Sequence, residues 1–194
     1  MSFLEKCSQL RLGEKTEAEW SQFSCGDKDL DSFFLNDAAG YERQLLGKTY
    51  CFVLNETSPV IVCAFTLSAS SIDVRSIPRS RRDKVTKNIP HEKSFSSYPA
   101  LLIGRLGVSS AHRKLGIGSA LIDHIKYILI NPDNLYSCRY LTVDAYNSAP
   151  VLNFYETNGF RLLFSSEQQE REYTGLSPER KLKTRLMYFN LITV

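Results

Sequence analysis

Apolar and polar positions alternate with two different periods along this chain, and the change of period divides it. Leu30, Phe33, Phe34, Ala38, Tyr41 and Leu45 recur at steps of three and four, which predicts one buried stripe on a helix running from Asp27 or Lys28 to Leu46. The chain then turns to β-formers. Thr49–Leu54 and Val60–Leu67, separated by the turn-like Asn55–Pro59, predict an antiparallel hairpin. A third apolar run, Ala100–Val108, precedes a glycine-bearing turn. After it, Ile117, Leu121, Ile125 and Ile128 return at helical spacing, so this region reads as strand, turn and helix. Tyr140–Ala145 and Thr184–Phe189 are further strands. Pro150 suits the first turn of a helix, Gly159 its end and Phe160 the start of the next strand.

Weaker signals fill the gaps. Ser8–Leu12 suits a short strand, and Thr16 with Glu19 has the spacing of a capping box. A helix is expected near Pro78 within 76–88, whereas 165–183 is polar without a period and reads as a surface loop or an ordered arm. The chain thus mixes strands with helices throughout.

Composition narrows the function. The 194 residues suit a single domain, 1–194, with a substantial core. A net charge of +3 does not announce a nucleic-acid binder. Locally, however, Arg75, Arg79, Arg81, Arg82, Lys84, Lys87 and Lys93 face only Asp83 and Glu92 within one segment. Such a run is either a solvated face or a polyanion contact, for which Arg79, Arg81 and Arg82 are the candidates. Five cysteines without a CxxC pair are expected to be reduced thiols in a cytoplasmic protein, with no membrane span. Three scattered histidines make no zinc pattern, and no metal is expected.

The chemistry concentrates in Ser109–Asp123. Glycines at a helix start leave backbone N–H groups unshielded, and the helix dipole adds positive charge, so a phosphate can sit there. Arg113 and Lys114 stand beside Gly116 and Gly118. A P-loop would need Gly-Lys-Ser/Thr, yet Gly118 is followed by Ser119 and Ala120. A dinucleotide fingerprint would need Gly or Ala at the position of Leu121. What remains, Arg113-x-x-Gly116-x-Gly118, resembles the acetyl-CoA signature of the GNAT N-acetyltransferases. Asn147-Ser148-Ala149 through Phe154-Tyr155 to Gly159-Phe160 resembles the second motif of that family, with Val151 or Leu152 near its usual small residue.

The resemblance implies a GNAT fold of the α+β class: a mixed central sheet of about six to seven strands, helices on both faces, and a splayed strand pair holding acetyl-CoA. It implies that Arg113, Lys114, Leu115, Gly116, Ile117, Gly118, Ser119 and Ala120 hold the diphosphate. The backbone of Leu106, Gly107 and Val108 would meet the pantetheine arm and acetyl carbonyl, and Asn147 would orient the pantetheine or the acceptor. Gly107, a glycine inside a strand, independently marks a bulge or a close approach of another group. Tyr155 matches the tyrosine whose phenol protonates the departing thiolate; the alternative is a core tyrosine bonded to a backbone carbonyl. Asp144 and Glu42 are positional candidates for a general base, although an α-amine, with a pKa of about 7.7 to 8, is partly neutral without one.

Phe23–Leu30, Phe65–Ala69 and Pro99–Val108 further resemble landmarks of the toxin-type GNAT proteins. Those acetylate the amino group of aminoacyl-tRNA and are restrained by a small DNA-binding antitoxin, which implies tRNA and an antitoxin as partners. By analogy with many relatives, a homodimer is implied as well. A small amine or a protein terminus remains an equal acceptor. Two other readings stay open: an acetyl-CoA-binding module without turnover, and a toxin component acting through its surface.

Overall fold

The computed structural model of the protein describes residues 6–12, 20, 22–54, 59–91 and 95–193. The strands are β1 Cys7–Arg11, β2 Lys48–Leu54, β3 Val60–Asp73, β4 Ser97–Val108, β5 Tyr140–Tyr146, β6 Arg161–Leu162 and β7 Thr184–Asn190. The α-helices are α1 Lys28–Ser32, α2 Ala38–Arg43, α3 Arg79–Thr86, α4 Ile117–Ile130, α5 Ala149–Thr157 and α6 Glu167–Thr174. The seven strands form one mixed sheet in the order β1-β2-β3-β4-β5-β7-β6. Two compact units are distinguished: Met1–Ala69 with Ile103–Ile128, and Ser70–Leu102 with Leu129–Val194. Strands β3 and β4 contribute residues to both.

In the first unit the predicted hairpin forms as β2 and β3, antiparallel with Tyr50 opposite Phe65. Strand β1 adds to it through Arg11 opposite Tyr50. The predicted helix from Lys28 begins where expected, because the Asp27 carboxylate accepts from the N–H groups of Asp29 and Leu30 at 3.0 and 3.1 Å. It does not continue as one α-helix. Phe33–Asp37 is a π-helical turn between α1 and α2, with the Ala38 N–H reaching back to the Phe33 carbonyl. The stripe nevertheless continues past the turn, since Tyr41 packs against the core that holds Phe33, Phe34 and Ala38. Phe33, Phe34 and Ala38 are buried, but Leu45, expected on the same stripe, is 90% exposed beyond the helix end with φ 58°. The capping box at Thr16 and the turn at 55–58 lie outside the described residues.

The second unit is centred on Tyr140. Its ring meets Tyr98 and Tyr188 edge-on, and its hydroxyl donates to the Val85 carbonyl at 2.5 Å, fastening α3 to β5. Strand β7 pairs antiparallel with both β5 and β6. The stretch 165–183 contains helix α6, started by the Ser166 side chain accepting from the Gln169 N–H at 3.3 Å and ended by Gly175 at φ 68°. Ser-x-x-Gln was the available signal for it. Within this unit Glu170 and Arg185 form a buried ion pair, 2.6 Å from Nε to Oε2, and the other Glu170 oxygen accepts from the Leu186 N–H at 2.5 Å. Each polar atom so buried needs such a partner.

Candidate functional site

Helix α4 enters the first unit by its predicted stripe: Ile117, Leu121 and Ile125 are buried, with Ile122 beside them. This anchorage holds the preceding turn in place while leaving its surface open. Residues Arg113 to Gly116 are exposed. Lys114 and Gly116 both adopt positive φ, 64° and 73°, and a Cβ added to Gly116 would meet nothing within 4 Å. The first N–H groups of any α-helix have no intrahelical acceptor. The open space over Gly116, those N–H groups and the exposed Lys114 together suit a diphosphate. Gly118, by contrast, lies in the first turn of α4 without a positive φ.

Arg113 has a second role that its motif does not announce. Its guanidinium donates to the Cys25 carbonyl. A Cβ on Gly26, whose φ is 74°, would stand 3.1 Å from the same guanidinium nitrogen. The Ser110 N–H donates to the Ser24 carbonyl at 2.9 Å, and the Ser109 N–H to the Val62 carbonyl at 2.8 Å. Asp31 organises the opposing turn, accepting from the Ser24 hydroxyl and the Cys25 N–H, both at 2.7 Å. Burial raises the Asp31 carboxyl, but hydrogen bonds from Cys25, Ser24 and Gly26 outweigh it and hold the group below its ordinary range. The opening segment Ser24–Asp31 is thus part of the site, although its sequence reads mainly as a turn into a helix.

Gly107 shows the close approach expected of it. A Cβ there would lie 3.2 Å from Cys25 Cβ and Sγ and 3.3 Å from Phe34. Leu106 and Val108 are half-buried on either side. Burial, aided by the hydrogen bond with Asp31, pushes the Cys25 thiol up to about 11, so it is no thiolate nucleophile at neutral pH. Glu42 is engaged by Arg11 at 2.5 Å.

In the second unit α5 carries Tyr155. Pro150 sits in the first turn, and the helix ends at Gly159, φ 83°, where a Cβ would press to 2.9 Å of the Phe189 ring. The Tyr155 side chain is 7% exposed between the rings of Phe154 and Phe160, with centroids at 5.0 and 5.4 Å. Among the described residues no acceptor takes its hydroxyl proton. Tyr140, by contrast, has its hydroxyl tied to the Val85 carbonyl. Burial pushes the Tyr155 phenol well above its ordinary range, so it stays protonated.

Asn147 is tied into the scaffold. Its side-chain amide donates to Glu167 at 2.9 Å and to the Leu182 carbonyl at 3.1 Å, and its N–H to the Lys183 carbonyl at 2.9 Å. Asp144 lines a cavity of about 420 Å³ under α6. Of the three arginines singled out on α3, Arg81 is engaged internally: it donates to the Leu163 carbonyl at 2.6 Å and to the Leu162 carbonyl. Arg82 reaches the Arg75 carbonyl at 3.3 Å, while Arg79 is exposed. Lys84, Lys87 and Arg161 join Arg81 around a second cavity of about 580 Å³, with Glu156 the one acid on it among the described residues. Lys84 and Lys87 belong to the basic run, but nothing in the sequence places Arg161 beside them. Among the described residues, no group of three or more His, Cys, Asp or Glu is placed to hold a metal ion, and no helix is long and apolar enough to cross a membrane.

Residues 85–162 match the model for an acetyltransferase (GNAT) domain. Similar solved structures include AtaT complexed with acetyl-methionyl-tRNAfMet, 18% identical, with a TM-score of 0.70 over 96% of each chain. A tyrosine-to-phenylalanine variant of KacT is 18% identical, with a TM-score of 0.69 over 97% of this chain and 96% of that one. AtaTR bound with acetyl-CoA is likewise 18% identical, with a TM-score of 0.68 over 97% and 96%. No curated protein matches by sequence.

Proposed function

The chain carries a GNAT acetyltransferase domain, and from that premise we propose that residues 1–194 work as one N-acetyltransferase, moving the acetyl group of acetyl-CoA to a primary amine by direct attack. The amine lone pair adds to the thioester carbonyl, the C–N bond forms, and the C–S bond breaks. Tyr155 gives its proton to the departing sulfur. The observation that carries this reading is the Tyr155 phenol, buried and protonated yet donating to no acceptor among the described residues. The turn at Arg113–Ala120 supports it by offering open amides to a diphosphate, with Lys114 as a full charge nearby. Residues Leu106, Gly107 and Val108 supply strand backbone for the pantetheine arm.

The acceptor that we favour is the α-amine of aminoacyl-tRNA. AtaT has been captured with acetyl-methionyl-tRNAfMet, and an AtaT variant with the C-terminus of the antitoxin AtaR. The exposed cations Arg79, Arg82, Lys84 and Lys87 on and after α3 would meet phosphates. A small antitoxin is the matching protein partner. The five cysteines, none of them in a disulfide, suit a reducing cytoplasm.

Thiol release from acetyl-CoA, measured with charged tRNA and with small amines, tests the reading. Turnover that falls in Tyr155→Phe while acetyl-CoA affinity holds supports it. Tight binding of acetyl-CoA without release would mark a binding module, or a component acting through its partner.

A further inference from the structure

Within the apolar run Ala100–Val108 stands a single charged residue, Arg105, directly before the strand backbone proposed for the pantetheine arm. It is half-buried. Its guanidinium lies 4.8 Å from the centre of the Phe33 ring, and that ring meets Tyr41 at 5.8 Å. Nη1 donates to the neighbouring Gly104 carbonyl at 2.8 Å. Nε is buried without an acceptor; among the described residues Nη2 likewise donates to none, and no carboxylate pairs with the charge. A second buried donor marks the same corner. The Ser68 side chain is 7% exposed, its hydroxyl has no partner among the described residues, and it lies 4.0 Å from where a Cβ on Gly104 would stand. All of these residues belong to the first unit.

A buried donor left without an acceptor is costly, more so on a charged group, and each such donor in a native fold calls for an explanation. Nε–H and the Nη2–H beside it project in one plane, as a fork that receives an sp2 oxygen. The Phe33 ring under the guanidinium holds that plane. Glycine at 104 keeps a side chain out of the corner between the fork and Ser68.

Resting on the acetyl-transfer reading, we infer that Arg105 sets acceptor specificity: its Nε–H and Nη2–H hold an sp2 oxygen on the carbon next to the amine-bearing one. Placement gives the reason. The reacting amine must come to the acetyl group beside Leu106, Gly107 and Val108, and Arg105 is the residue before them. An oxygen held by the fork fixes the carbonyl of an α-aminoacyl group, after which rotation about one bond aims its amine. A bare alkylamine brings the same nucleophile and nothing for the fork. A site built to hydrogen-bond a group rejects the analogue that lacks it, because its own donors are then left unpaired.

The test measures thiol release by the intact protein with methionyl-tRNA, methioninamide and 3-(methylthio)propylamine, which is methioninamide without its amide group. Rates of the two small amines are compared per concentration of free base, since their amines differ in basicity. The wild type is expected to favour methioninamide by about tenfold or more in kcat/KM. Arg105→Met should bring that preference close to one and raise KM for methionyl-tRNA about tenfold, with acetyl-CoA affinity unchanged. Arg105→Lys keeps the charge but lacks the fork, so it should lose the preference as well; it examines the fork whether or not Arg105→Met folds. Equal use of the two small amines by the wild type overturns the inference, and so does a preference that survives in both variants. Release with methionyl-tRNA alone, undiminished in both variants, overturns it too. Each of these leaves acetyl transfer standing. If none of the three probes elicits thiol release although acetyl-CoA binds, the acetyl-transfer reading itself falls, and this inference with it.

Discussion

The guanidinium of Arg113 donates to the backbone carbonyl of Cys25, 88 residues earlier in the chain. The arginine of the turn proposed to hold a diphosphate therefore braces that turn against the Ser24–Asp31 segment. Charged hydrogen bonds of this kind contribute about 1.5–3 kcal/mol. Arg113→Ala is expected to weaken acetyl-CoA binding roughly tenfold, and Arg113→Lys should recover little of it, because an ammonium lacks the planar fork that reaches this carbonyl. Titration calorimetry with acetyl-CoA checks both variants, and unchanged affinity in Arg113→Ala would show that the brace is dispensable.

Two glycines should respond differently to alanine. At Gly107 the new methyl would stand 3.2 Å from Cys25 and 3.3 Å from Phe34, so Gly107→Ala is expected to cost about 1–3 kcal/mol of stability through overpacking. At Gly116 nothing lies within 4 Å, and only the positive φ is penalised, at about 1 kcal/mol. Gly116→Ala should instead lose acetyl-CoA affinity, since its methyl projects where the diphosphate is expected. Urea denaturation and ligand titration on the pair separate the two effects.

Tyr155→Phe should lower kcat by about 10²–10⁴-fold, the usual share of a general acid, with the KM for acetyl-CoA nearly unchanged. Because burial raises the Tyr155 phenol, its ionisation should impose no fall in wild-type turnover near the ordinary tyrosine range. A pH–rate profile with a descending limb that Tyr155→Phe removes would contradict that.

Acid stability should depend on Asp31. Its folded-state carboxyl is held below the ordinary value, so its contribution is fully present above the unfolded pKa and is lost as pH falls through the folded one. Asp31→Asn removes that contribution, and its melting temperature should vary less with pH on the acid side than that of the wild type. Parallel acid limbs for the two proteins would show that the turn does not rely on the charge.

The basic helix divides by role. Arg81→Ala takes donors from the Leu162 and Leu163 carbonyls and is expected to destabilise by about 1–3 kcal/mol. Lys84→Glu with Lys87→Glu should leave the melting temperature within experimental scatter. The same pair should flatten the salt dependence of tRNA binding, by about 0.7 in logarithmic slope for each phosphate no longer neutralised. Thermal melts and a salt series of binding measurements read both.

What could be read directly from the chain was local. The Ile117, Leu121 and Ile125 stripe, the Pro150 to Gly159 helix, the hairpin at Tyr50 and Phe65, and the Gly116 turn all depend on neighbours a few positions away, so period and spacing were enough. The chain alone also marked Gly107 as a place of close approach, without saying what approaches. Tertiary structure alone decided the partners. It brought Cys25 onto Gly107 and Arg113, drew Arg81 to the carbonyls at the end of β6, and gave the Tyr140 hydroxyl the Val85 carbonyl while leaving that of Tyr155 without an acceptor among the described residues. The end of the helix at Arg43 likewise left Leu45 beyond it, off its predicted face. Residues far apart in sequence meet only when buried polar groups must find acceptors and side chains must share space, and neither demand is written in the periodicity of any one segment.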